Sequence, residues 1–135
     1  MKFTSAFIAA ALAGLSTATP TAPAAEKRYV GGQCGIHVVQ YQKNENGVGG
    51  QYQFDMQIKD GVGAILGGVR GKAVADRSSI GITSQLPKVL ILTAGSVDSD
   101  PVSFAYNGQT WSSSSGCSTG RYDSGNRDMD CGFTC

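Results

Sequence analysis

The positions of four cysteines constrain this chain more than any other feature of its sequence. Cys34 stands alone, whereas Cys117, Cys131 and Cys135 lie within the last nineteen residues. In a short exported chain, an even number of cysteines predicts disulfides, here two. Three pairings are possible and the sequence leaves all three open, but each joins Cys34 to the C-terminal segment. One bridge therefore closes a loop of roughly 80 to 100 residues, which stabilises the fold by about 4–5 kcal/mol in the chain-entropy model.

The N-terminus has the organisation of an export signal followed by a pro-segment. Residues 1–18 contain a lysine, an apolar run at 7–15 that is too short to span a bilayer, and then small residues, which is the order of a secretory signal peptide. Residues 19–28, TPTAPAAEKR, are rich in Pro and Ala and end in the dibasic pair Lys27-Arg28, a cleavage site for a Golgi protease. We therefore expect a secreted, extracellular protein whose single mature domain is 29–135.

Short segments of alternating apolar and polar residues predict that the mature domain is all-β. The clearest is 51–59, where even-numbered residues are apolar and odd-numbered residues are polar. Residues 88–93 are apolar on both faces, which predicts a strand covered on both sides. Asp60-Gly61 and Asn107-Gly108 predict two-residue hairpin turns. Six to eight strands without helical periodicity predict a small antiparallel β-sandwich or Greek-key barrel, of crystallin-like or immunoglobulin-like size.

The charge balance argues against two classes of partner. Residues 29–135 contain eight Lys or Arg and nine Asp or Glu, so the mature domain is close to neutral. A protein that binds nucleic acid regardless of sequence needs a basic surface, and no basic stripe is present. No second apolar segment approaches the length needed to cross a membrane. We therefore expect no nucleic-acid partner and no membrane insertion.

The residues that carry catalysis do not form a complete set in this sequence. His37 is the only histidine, no G-x-S-x-G motif occurs, and the cysteines are expected to be bridged. Carboxylates that could pair for glycoside hydrolysis, or bind calcium, lie in polar turns at 98–100 and 123–130, where aspartate is commonly solvated. The second of these does not have EF-hand spacing, and Cys131-x3-Cys135 lacks the second pair of a zinc site. We predict no enzyme activity, no cofactor and no metal.

Aromatic side chains offer a candidate binding surface. Exposed aromatic rings stack on sugars or anchor protein interfaces. Tyr106 is expected in the core. Tyr122 lies in the polar, glycine-rich tail that begins at residue 112, and we expect only the bridges of its three cysteines to hold this tail in place. The predicted surface comprises aromatic and charged residues of this C-terminal part: Trp111, Tyr122, Asp123, Arg127 and Asp128.

Three segments carry a family resemblance. They are SQLPKVLI at 84–91, DSDPVSF at 98–104 and the ending YDSGNRDMDCGFTC at 122–135. The chain resembles an uncharacterised family of small secreted cysteine-containing proteins of filamentous fungi, over most of the mature domain. Such proteins are usually regarded as candidate effectors, exported to act at the interface with a host or competitor, so the resemblance implies a non-enzymatic role.

Three functions follow as expectations from these features. The first is a secreted, effector-like interaction protein, monomeric, whose target outside the producing cell is an unknown host protein or a cell-wall glycan. The first alternative is a carbohydrate or cell-wall binding module, which would use Trp111 and Tyr122. The second alternative is a small antimicrobial or toxin-like protein, although the near-neutral charge argues against membrane disruption.

Overall fold

The computed structural model describes residues 29–135, and the predicted signal peptide and pro-segment lie outside this range. The described residues contain nine strands and no helix, in two antiparallel sheets. A five-stranded sheet has the order β3-β2-β1-β9-β8, and a four-stranded sheet has the order β4-β5-β6-β7. The strands are β1 (Gln33–Tyr41), β2 (Tyr52–Lys59), β3 (Ile65–Val74), β4 (Ser79–Ile82), β5 (Leu90–Thr93), β6 (Ser103–Tyr106), β7 (Gln109–Ser112), β8 (Cys117–Thr119) and β9 (Asn126–Thr134).

One hydrophobic core lies between the two sheets. Strands β1, β2 and β9 of the larger sheet bury every second side chain, because residues of a strand point alternately to its two faces. The predicted alternation in 51–59 is therefore confirmed. Strands β5 and β6 contribute from the smaller sheet, and Phe54, Leu92 and Met129 are among the most deeply buried residues. The predicted small antiparallel β-sandwich with two disulfides is confirmed.

The strand at 88–93 differs from its prediction. Regular pairing covers only Leu90–Thr93, where Leu90 and Leu92 are buried while Ile91 and Thr93 are half-buried. Val89 is 45% exposed. The outward face of this strand is thus open, because no third layer packs on the smaller sheet within the described residues.

One of the two predicted hairpin turns is confirmed and the other is wrong. Tyr106 pairs with Gln109 across Asn107-Gly108, and both turn residues have positive φ, as a type I′ turn requires. Lys59, in contrast, pairs with Ile65, so five residues connect β2 to β3. The Asp60 side chain explains the longer turn, because its carboxylate accepts hydrogen bonds from backbone N–H groups inside the turn and from Val30.

The C-terminal tail is also different from its prediction. Bridges do not hold it alone, since β9 pairs with β1 along nine residues and β8 pairs with β9. Cys34 is bonded to Cys135, 101 residues apart, and Cys117 is bonded to Cys131, its direct partner across β8 and β9. No described cysteine is free. The tail is thus an integral part of the larger sheet.

Candidate functional site: the outer face of the five-stranded sheet

The outward face of β2, β1 and β9 carries a regular array of side chains, which we call the polar grid. Strand register sets three rows, because residues paired across antiparallel strands lie side by side on one face. Each row takes one residue from β2, one from β1 and one from β9. The rows are Gln57, His37 and Asp130; Asp55, Val39 and Asp128; and Gln53, Tyr41 and Asn126.

The central column of the grid is formed by β1. His37, Val39 and Tyr41 are half-buried and follow one another at every second position, which places them about 6.8 Å apart along the strand. Two rings with an aliphatic side chain between them therefore form a spine. Carboxylate and amide side chains flank it on both sides.

His37 lies between two carboxylates of β9. Its Nδ1 is 2.7 Å from Oδ1 of Asp130, and its Nε2 is 3.7 Å from Oδ2 of Asp128. The side chains of the two aspartates are 67% and 59% exposed, so both remain accessible to a ligand. Among residues 29–135, no group of three or more His, Cys, Asp or Glu side chains is arranged to hold a metal ion.

A bulge in β3 completes one side of the grid. Pairing between β2 and β3 skips from Phe54 to Met56, so Arg70 and Gly71 together oppose the single residue Asp55. The extra residue turns the Gly71 N–H toward Asp55, whose Oδ1 accepts it at 2.6 Å. Gly71 has a φ of +57°, which glycine adopts without steric cost.

Asp55 also fixes the tyrosine of the spine. The Tyr41 hydroxyl donates to Oδ2 of Asp55 at 2.6 Å. This hydrogen bond, followed by burial, raises the pKa of Tyr41 above its ordinary value. Tyr41 therefore remains a neutral hydrogen-bond donor, and its ring is held in one orientation on the face.

Two adjoining hollows lie along the side of the grid that faces β3. One of about 210 Å³ is lined by residues that include His37, Gln57 and Arg70, and one of about 570 Å³ is lined by residues that include Tyr41, Asn126 and Arg70. They share Asp55 and Arg70, so together they form a groove across the face. The larger lies within the range typical of small-molecule sites.

The residues predicted from the sequence as a binding surface lie in different places. Asp128 belongs to the polar grid. Trp111 is half-buried on β7, stacked against Phe104 and Phe133 at ring-centroid distances of 5.8 Å and 5.2 Å. Asp123 is exposed in the turn that precedes β9, where its backbone pairs with that of Asn126.

Tyr122 and Arg127 are brought together at one end of the sandwich. The Arg127 guanidinium lies 4.8 Å from the centroid of the Tyr122 ring, and its Nε donates to the buried Gln40 at 2.9 Å. A second guanidinium nitrogen donates to the Asp100 carbonyl, and the Tyr122 hydroxyl donates to the Asp98 carbonyl. Burial raises the pKa of Tyr122 to about 12. Arg127 thus ties β9, and Tyr122 the segment before it, to the loop between β5 and β6.

Sequence reasoning missed most of the grid. It placed Gln53, Asp55 and Gln57 on the polar face of one strand, but it did not predict that β9 pairs with β1 beside them. Arg70 had no recognisable signal, because only the bulge brings it over the face. The acidic residues at alternate positions of β9 were the available signal, since Asp128 and Asp130 flank the buried Met129.

Comparisons with known proteins found no matching family model, no matching curated protein and no matching solved structure. Within residues 29–135, no helix has the length and apolar character that crossing a membrane requires. The two disulfides are compatible with an extracellular protein.

Proposed function

We propose that this chain is a secreted, non-enzymatic and effector-like interaction protein, which binds a host or competitor target outside the producing cell through the polar grid. The observation that carries the proposal is the grid itself, an array of polar and aromatic side chains held on three paired strands beside two hollows. Binding groups placed on strands are held more rigidly than groups placed on loops. The predicted export signal and the two bridges support a role outside the cell.

The surroundings of His37 support binding rather than nucleophilic catalysis. A catalytic histidine needs a hydroxyl or thiol at one ring nitrogen and an orienting group at the other. Here both nitrogens face carboxylates, of Asp130 and Asp128. The hydrogen bond to Asp130 holds the ring in place on the face, which suits a contact residue.

The experiment is affinity capture from host extracellular fluid with matched variants. The grid variant Gln57→Ala/Asp128→Ala changes two exposed side chains of the polar grid. The control Ser103→Ala/Thr110→Ala changes two exposed side chains on the outer face of the smaller sheet. We expect a target to be retained by the wild type and the control and lost by the grid variant. Equal retention by all three proteins would contradict the proposal.

The export part of the proposal has its own test. If the chain is cleaved after Lys27-Arg28, the intact mass of the secreted protein corresponds to a chain that begins at Tyr29. A secreted mass that includes the dibasic pair would contradict this processing. Failure to leave the producing cell at all would contradict the function.

A further inference from the structure

We propose that the ligand of the polar grid is a neutral oligosaccharide, because the grid places a spine of two rings and a valine between two columns of amide and carboxylate groups. This inference rests on the proposed function, since it names the chemical class of the target. It concerns the grid and not the Trp111 and Tyr122 surface expected from the sequence.

The spine matches the apolar side of a sugar ring. A pyranose presents C–H groups on its faces, and these groups pack on aromatic and aliphatic side chains. His37, Val39 and Tyr41 offer such contacts in a line along β1. A chain of sugar units lying along this strand would therefore meet an apolar surface at successive positions.

The flanking columns match the hydroxyl groups of the sugar. Each hydroxyl both donates and accepts, and a side-chain amide does the same with its N–H₂ and C=O groups. Within the described residues, the amides of Gln53, Gln57 and Asn126 make no hydrogen bond to other protein groups, and the three residues are exposed or half-buried. They are thus available to pair with hydroxyls at the rim of the sugar rings.

The charge of the polar grid is unfavourable for acidic ligands. The grid carries three carboxylates, of Asp55, Asp128 and Asp130. Arg70 lines both hollows together with Asp55, and among the described residues it is the one guanidinium beside these carboxylates. Polyanions such as nucleic acids or polyuronic acids would be repelled. Carboxylates accept hydrogen bonds from neutral hydroxyls without this cost.

The two rings are fixed before any ligand arrives. Asp55 receives the Tyr41 hydroxyl and the Gly71 N–H, and Asp130 lies within hydrogen-bonding distance of His37. Side chains that are already ordered lose little rotamer freedom on binding. A weakly attractive surface of this kind can therefore retain a ligand that offers only C–H and hydroxyl groups.

The test is retention of the mature, disulfide-bonded protein on insoluble polysaccharides of defined chemistry. Chitin, β-1,3-glucan and cellulose are the neutral probes, polygalacturonate is the acidic probe and chitosan is the cationic probe. We expect retention on at least one neutral probe that persists at about 0.5 M NaCl, because the contacts are not ion pairs. Stronger retention on polygalacturonate would overturn the inference, as would retention on chitosan alone that this salt abolishes.

Variants test the location of the site. Gln57→Ala changes an exposed side chain and is expected to weaken retention roughly twofold to tenfold, the value of one lost hydrogen bond. Tyr41→Ala removes half of the aromatic spine and is expected to weaken it about tenfold or more. Thr110→Ala changes an exposed side chain of the smaller sheet and is the control, which should bind as the wild type does. Tyr122→Ala tests the surface expected from the sequence. Loss in Tyr122→Ala with no loss in Gln57→Ala and Tyr41→Ala would overturn the assignment to the grid.

The inference can fail while the proposed function survives. If no neutral polysaccharide retains the protein, yet a host protein is captured by the wild type and lost by Gln57→Ala/Asp128→Ala, the ligand class is wrong and the binding face is right. If neither polysaccharides nor host proteins depend on the grid residues, both proposals are wrong.

Discussion

The two disulfides close chain segments of very different length, and a matched pair of variants tests what that difference contributes. Cys34–Cys135 spans 101 residues and Cys117–Cys131 spans 14. Each pair is replaced by alanine while the other stays intact. The substitutions are comparable in packing, because each removes one buried cysteine, Cys34 or Cys131, and one half-buried cysteine.

The expected magnitudes follow from loop closure in the unfolded chain. A bridge across 101 residues contributes about 4.7 kcal/mol to the free energy of unfolding, and a bridge across 14 residues contributes about 3.0 kcal/mol. The variant Cys34→Ala/Cys135→Ala should therefore be less stable than Cys117→Ala/Cys131→Ala by about 1.7 kcal/mol. Packing losses of similar size largely cancel in this comparison.

Urea unfolding without reductant measures the difference. Trp111 is the only tryptophan and stacks on Phe104 and Phe133, so its fluorescence reports the loss of the core. Extrapolation to water gives the free energy of unfolding of each variant. If the variant that lacks Cys117–Cys131 were equally or less stable, the reasoning would be refuted, and that bridge would be acting on the native pairing of β8 and β9.

Three further predictions concern single residues. The Tyr52 hydroxyl donates a hydrogen bond to Asp98. Burial and, after it, this hydrogen bond raise the pKa of Tyr52 above 10. The free energy of unfolding should therefore fall as pH rises past about 10, and it should fall less steeply in Tyr52→Phe. Hydrogen bonds from backbone N–H groups, that of Val30 first, lower the pKa of Asp60 below 3.8. The free energy of unfolding should therefore fall as pH drops past about 3.8, and it should fall less steeply in Asp60→Asn. Gly68→Ala would place Cβ 1.9 Å from the Met56 carbonyl oxygen, and should cost roughly 3 kcal/mol or more. Urea unfolding measures all three.

Each of these predictions has an outcome that contradicts it. Superimposable alkaline curves for wild type and Tyr52→Phe would show that this hydroxyl does not govern the alkaline loss. If the free energy of unfolding of Asp60→Asn falls at acid pH as steeply as that of the wild type, the Asp60 carboxylate does not govern the acid loss. Gly49→Ala is the control for Gly68→Ala, because a Cβ there meets nothing within 4 Å. Equal stability of the two alanine variants would remove the steric argument.

The parts of the fold that local patterns determine were predictable from the sequence. Alternation in 51–59 identified β2 and its two faces, since burial on one side of a sheet requires that period. Asn107-Gly108 identified a hairpin because few residue pairs accept positive φ at both positions. The turn at Asp60 was wrong because its length depends on a side chain that also accepts a hydrogen bond from the distant Val30.

Strand β9 was missed although its period-two pattern is present in the sequence. Met129, Cys131 and Phe133 are buried, and the residues between them are Asp130 and Gly132, which have low strand propensity. Nine paired residues on β1 override that propensity. Missing β9 affected the prediction of the site more than that of the fold, because one column of the grid lies on β9 beside β1.

The candidate site could not be assembled from sequence because its members are far apart along the chain. His37 and Asp130 are 93 residues apart, and only the strand order brings them within 2.7 Å. Trp111 was predicted as a binding residue only because it is aromatic. In the structure its ring packs on Phe104 and Phe133. Tyr41 lies on β1, and its role depends on Asp55 of the neighbouring strand β2.

The same strand connects the core, the bridges and the polar grid, so their integrity is coupled. β9 turns Met129 and Phe133 toward the core and Asp128 toward the grid, and a disulfide is attached within it at Cys131 and one just after it at Cys135. Loss of either bridge raises the conformational entropy of the unfolded chain, and this lowers the free energy needed to open the strand. Since opening of β9 would separate His37 from its two carboxylates, the grid is a stable binding surface where disulfides persist. That condition is met outside the cell, which is where the proposed function requires the surface to work.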